Sequence, residues 1–102
     1  MVMDHINNRF FCSLSPRSTM EVLQELLKKW NAISRVAYTA VTFTSVDRHN
    51  QTIYHTDCMM TLLGNDAIVC TEAIATDELR DMVISALRAG KHAYQIIDIS
   101  LE

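Results

Sequence analysis

Two stretches of this chain repeat apolar residues at helical spacing, and the residues between them are β-branched and aromatic. That alternation limits the fold class more tightly than any other feature. In the first stretch Ser18 and Glu21 form a capping box, hydroxyl and carboxylate each satisfying a free backbone N–H. Val22, Leu23, Leu26, Leu27 and Trp30 then recur on one face, and Glu25 with Lys29 adds an i,i+4 pair on the wet side. In the second, Thr76 followed by Asp77 and Glu78 opens a helix. Leu79, Met82, Val83, Ala86 and Leu87 are its stripe, and Gly90 stands where it should end. Outside these stretches the composition predicts strands over 8–15, 33–47, 52–63, 66–73 and 93–101, with Gly64–Asn65 as a two-residue hairpin turn.

The order strand, helix, three-strand meander, helix, strand predicts an α+β two-layer sandwich. Its sheet is mixed but mainly antiparallel. Right-handed crossovers put both helices on one face and leave the other bare. A chain of 102 residues holds one domain over 1–102, with 1–7 expected to fray. No internal repeat is visible. Apolar residues make up 49% and charged ones 21%, which excludes a disordered chain. Two glycines and one proline exclude a glycine-loop nucleotide site, and a net charge of -3 gives no broad phosphate-binding surface. Cys12, Cys58 and Cys70 form no C-x-x-C and read as reduced thiols. No apolar run approaches the roughly 20 residues of a membrane span. The N-terminal "MVMDHINNRFF" lacks a basic, apolar leader, so a cytoplasmic location is expected.

The stretch from His49 to Cys58 gathers two histidines, an aspartate and a cysteine within ten residues. With a turn at His49–Asn50, residues 46, 44, 42 and 40 pair with 53, 55, 57 and 59. The second turn pairs 63, 61, 59 and 57 with 66, 68, 70 and 72. Alternation then puts Val41, Phe43, Tyr54, Cys58, Met60, Leu62 and Val69 under the helices. The opposite face carries Thr42, Thr44, His55, Asp57 and Glu72, with Tyr38, Met59, Leu63, Ile68 and Cys70 toward one end. Cys58 points away from His55, and His49 lies about 20 Å off along an extended strand, at roughly 3.3 Å per residue. His55, Asp57 and Glu72 remain as an imidazole with two carboxylates. These are metal-ligand types, but the setting is open and has no orienting partner. Neither a metal nor a cofactor is expected.

Other reactive side chains have plainer readings. His5 lies in the frayed terminus, and His92 follows a helix end, where it complements the dipole. Ser13, Ser15 and Ser18 have no glycine elbow. Cys12 and Trp30 read as packed core, and Met60 and Met82 as gap filling.

From about residue 18 to 90, the helix–three strands–helix order resembles double-stranded-RNA-binding domains and the short ribosome-hibernation factors. That resemblance implies RNA or ribosome association through basic helices. Here the second helix opens with "ATDELRD", which holds three acids where those RNA-binding domains carry lysines. With no nucleophile and no phosphate loop assembled, the leading expectation is a non-enzymatic interaction domain. It would be a small acidic adaptor, inhibitor or immunity-type protein of the kind phages and mobile elements encode. Its surface would be Tyr38, Thr42, His55, Asp57, Met59, Ile68 and Glu72, covered by another protein or by a second copy as a homodimer. No membrane contact and no duplex nucleic acid binding are expected. The alternatives are an RNA- or ribosome-associated domain, and a metal-binding protein or enzyme using His55, Asp57 and Glu72.

Overall fold

The computed structural model describes residues 1–99. It has six strands and two helices: β1 (Val2–Asp4), β2 (Arg9–Ser13), α1 (Met20–Ile33), β3 (Thr39–Phe43), β4 (Met60–Leu63), β5 (Asp66–Val69), α2 (Asp77–Arg88) and β6 (Gln95–Asp98). The α+β class with two helices and mixed strand pairing is as the sequence implies. The strands, however, divide into two three-stranded sheets, ordered β1-β2-β3 and β4-β5-β6.

Each sheet is an antiparallel pair followed by a helical crossover to a parallel strand. β1 pairs antiparallel with β2, and β2 parallel with β3. β4 and β5 repeat the first relation, and β5 and β6 the second. The chain is therefore two successive ββαβ modules. Arg9 and Asp66, which open β2 and β5, stand 57 residues apart, as do the helix N-caps Thr19 and Thr76. Residue identity hides this repeat, because few side chains match at that offset: Arg9 faces Asp66 and Phe10 faces Ala67. The 57-residue offset is carried by element spacing and by the threonine caps.

Both caps act alike. Thr19 accepts from the Val22 N–H and Thr76 from the Leu79 N–H, so α1 begins one residue later than Ser18 as cap would have it. Ser18 instead exchanges backbone hydrogen bonds with Ser15 across Pro16–Arg17. Gly90 follows α2 at φ +98, a left-handed conformation suited to a residue without Cβ.

All five residues of β2 are buried, which requires cover on both faces. Phe10 packs against Trp30 and Tyr38 on the α1 side. Phe11, on the other face, joins one core with Phe43, Met60, Val69, Val83, Leu87 and Tyr94. α2 thus lies between the two sheets, touching both β3 and β6. This layering departs from one sheet with both helices on one side, and it explains several misplaced residues. Val22 is 62% exposed and Met82 is also exposed, because each helix buries a narrower stripe than its apolar residues span.

The hairpin at Gly64–Asn65 forms in the expected register, with Leu63 opposite Asp66 and Thr61 opposite Ile68. The meander does not extend backwards from it. β3 runs beside β2, not β4, and among the described residues none of the expected pairs of 40–46 with 53–59 forms; the bridge Val46 with Thr52 lies one residue out of that register. The expected strand over 93–101 is observed as β6; its end at 100–101 lies outside the described residues. Residues 2–4 form β1 where fraying was expected. Among the described residues no helix is long and apolar enough to cross a membrane.

A candidate active site on the connector between the modules

The chain between β3 and β4 links the two modules and carries His55, Asp57 and Cys58. It is not a strand at that point. Thr56–Cys58 form one 3₁₀ turn, in which the Cys58 N–H donates to the His55 carbonyl at 3.1 Å and the Met59 N–H to the Thr56 carbonyl at 3.1 Å. The cause lies in the spacing of the inward residues. Thr56 and Met59 are buried while Asp57 and Cys58 are exposed, an i,i+3 pattern that a 3₁₀ turn satisfies and a strand cannot. Alternation therefore fails here. Asp57 and Cys58, expected on opposite faces, line one shallow depression with Met59, Met60, Thr61, Ile68 and Ile99.

The turn is held from both sides. Thr56 Oγ1 accepts the Ser13 N–H at 2.9 Å, tying it to the end of β2. Ahead of it, the Ile53 N–H donates to the Ser45 carbonyl at 3.0 Å. Behind it, the Met59 carbonyl accepts the Cys70 N–H at 2.8 Å. His55 stands exposed on this fixed backbone. Beside it Tyr54 lies under a cation: the Arg17 guanidinium sits over the Tyr54 ring at 4.7 Å from its centroid. Arg17 is presented by the tight Ser15–Ser18 turn, with Pro16 at its second position. Sequence reasoning missed Arg17 and Thr56. The "SPRS" turn was a usable signal for the first, since it forces Arg17 out to solvent.

The residues expected to form a bare partner-binding face do not do so together. Tyr38 is buried, its hydroxyl bonded to His5 Nδ1 at 2.8 Å and its ring packed with Phe10 and Trp30. Met59 and Cys70 are buried in the main core. For Met59 and Cys70 the cause is the inter-module layer, which covers the face that a single sheet would have left open; Tyr38 is covered on the α1 side instead. Thr42 and Ile68 are half-buried in different sheets, and His55, Asp57 and Glu72 are exposed. Tyr54 and Cys58, expected beneath the helices, are exposed too. Glu72 sits in a second 3₁₀ turn, Thr71–Ala73, not across a ladder from Asp57. Among the described residues no three His, Cys, Asp or Glu side chains are grouped to hold a metal ion. Burial raises the Cys12 and Cys70 thiols above their ordinary pKa, which disfavours the thiolate at both.

Over residues 1–102 the chain matches the family described as "N,N dimethylarginine dimethylhydrolase, eukaryotic", and it belongs to that family. No curated protein and no solved structure matches it. The family match overturns the expectation of a non-enzymatic adaptor, inhibitor or immunity-type protein, since the family it identifies is one of hydrolases. A site whose nucleophile is not assembled by local sequence pattern can still carry chemistry, and His55, expected in a partner-binding surface, stands exposed on the connector.

Proposed function

We propose that this chain acts in the hydrolysis of an N-methylated arginine, with His55 as the proton-transfer residue and Arg17 as the anchor for the substrate carboxylate. The observation that carries the reading is the family match over 1–102, taken with an exposed imidazole on a fixed turn, next in sequence to a tyrosine whose ring an exposed arginine covers. In the reaction, water adds to the guanidinium carbon and the bond to the dimethylated nitrogen breaks. Dimethylammonium leaves and a ureido group remains. His55 takes the proton from the attacking water and returns it to the departing nitrogen, the work an imidazole does near neutral pH. Arg17 suits a carboxylate because its fork of donors pairs with two oxygens at once. Asp57, exposed in the same turn, offers the opposite charge to the guanidinium.

The three unpaired cysteines fit a reducing compartment, and we place the protein in the cytoplasm on that ground. The test is incubation of the protein with N,N-dimethylarginine and quantification of released dimethylamine. Release that His55→Gln abolishes supports the assignment. Release that His55→Gln leaves unchanged refutes it.

A further inference from the structure

Resting on the hydrolytic reading of His55, we infer that Thr56 is a positioning residue, acting through a buried hydrogen bond that its hydroxyl oxygen accepts from the Ser13 backbone N–H and that ties the connector to β2. Thr56, Ser13 and Ser45 are all buried, at 2%, 0% and 1% exposure. Buried hydroxyls at the ends of strands that could hold valine or alanine call for a reason. Ser13 is the hub. Its N–H donates to Thr56 Oγ1, and its own Oγ shares a hydrogen bond with Ser45 Oγ. The Ser45 backbone in turn accepts the Ile53 N–H and bridges to Ile74 in the second module. One serine thus grips the connector on both sides of His55, two residues before it through Ser45 and one residue after it through Thr56.

This arrangement is more than the core needs. Thr56 contributes one methyl and one hydroxyl to the interior, and a valine would fill the same space. What the hydroxyl adds is a fixed distance between the turn and the carboxyl end of β2, the end from which the Arg17 loop departs. Ser13 is the last residue of β2, and the Leu14 N–H donates to the Phe43 carbonyl at 2.7 Å. The proton-transfer group and the carboxylate anchor are thereby referred to one strand end. Catalytic groups need support of this kind, since a misplacement of about 1 Å costs on the order of 10²-fold in rate.

The experiment compares Thr56→Val and Thr56→Ser with the parent protein. The first readout is independent of activity: the ¹H–¹³C signals of the His55 imidazole. In Thr56→Val these signals shift and broaden, and Thr56→Ser restores them. The second readout is turnover of N,N-dimethylarginine. Thr56→Val lowers kcat by about tenfold to a hundredfold with KM within about twofold, and Thr56→Ser recovers it. A folded Thr56→Val with unchanged imidazole signals and unchanged kcat overturns the inference. If the parent protein turns nothing over, the functional reading falls, and the imidazole signals still decide whether Thr56 holds His55. Should Thr56→Val fail to fold, Ser45→Ala, which frees the hub from its other side, carries the same pair of readouts. Unmoved signals there overturn the inference equally.

Discussion

Replacing Asp4 with alanine should cost more stability than truncating any other polar side chain between the modules. The Asp4 side chain is fully buried and accepts five hydrogen bonds: from the Ile6 and Asn7 N–H groups and the Tyr94 hydroxyl on Oδ1, and from Asn7 Nδ2 and Arg9 Nε on Oδ2. Burial alone would raise its pKa. The bonds from Asn7, Tyr94 and Arg9 outweigh that and hold the carboxyl below its ordinary value. Arg9 is itself buried, and without Asp4 it keeps a 3.5 Å contact to the Ala89 carbonyl and the Phe11 ring 5.1 Å from its guanidinium carbon, but no anion. An uncompensated buried charge of this kind costs about 3–5 kcal/mol. Against a total of about 5–15 kcal/mol for a domain of this size, that is about a fifth at the least and most of it at the other extreme. With an m-value near 1.5 kcal/mol/M, a loss of about 4 kcal/mol moves the urea midpoint down by roughly 2–3 M. Tyr94→Phe alone should cost about 1.5–3 kcal/mol, and much less in the Asp4→Ala background, because the two share one network. A midpoint shift below about 0.5 M for Asp4→Ala, or strictly additive costs, would refute the claim that this carboxylate knots the modules together.

Further outcomes follow from the same structure. Burial and the Asp4 hydrogen bond raise the Tyr94 phenol to about 12. Its contribution is therefore complete below about pH 10, the unfolded value, and is lost as pH rises toward about 12. Melting temperature against pH should show an alkaline limb that Tyr94→Phe removes. The lowered Asp4 carboxyl works in the opposite sense: its contribution is complete above the ordinary carboxylate range and is lost as pH falls through the depressed value, an acid limb that Asp4→Asn should erase. Gly90→Ala should destabilise by more than about 1 kcal/mol in chemical denaturation, since the residue sits at φ +98 and a Cβ there would meet Asn7 Oδ1 at 2.6 Å. Met59→Asp should leave the protein unfolded by circular dichroism, while Ile68→Asp, half-buried in β5, should leave it folded. In the enzymatic assay, Arg17→Gln should raise KM for N,N-dimethylarginine at least tenfold and change kcat less.

Both helices were legible because they carry local signals: an apolar stripe, a threonine at the second N-terminus and a glycine after the second C-terminus. The Gly64–Asn65 hairpin was legible for the same reason, with its register. What could not be read was which strand lies beside which. β3 is joined to β2 through α1 and pairs with it in parallel, a contact made across a helix and left unmarked by any side-chain pattern. Assigning β3 to β4 instead put Tyr38, Met59 and Cys70 on an open face, whereas Val41, Phe43, Met60, Leu62 and Val69 do pack inward as expected. The connector failed differently. Period-two alternation does not hold across "YHTDCM", where inward positions are three apart, so His55 and Asp57 are exposed as expected while Tyr54 and Cys58 are exposed and Met59 buried against expectation.

The placement of His55 between two copies of one architectural unit bears on how such a chain can vary. Each ββαβ module closes its own hydrogen-bond ladders, and the connector owes its shape to a few anchors at Ser45, Thr56 and Met59. Its outer tip, Asp47 to Gln51, is a self-contained exposed turn: the Asp47 carboxylate accepts the His49 and Gln51 N–H groups, and the Asn50 N–H donates to the Asp47 carbonyl. Insertions at Arg48–Asn50 would lengthen a solvent loop without touching either ladder or either anchor. The tip of the connector is thus free to drift in length and chemistry while the turn that carries His55 stays fixed.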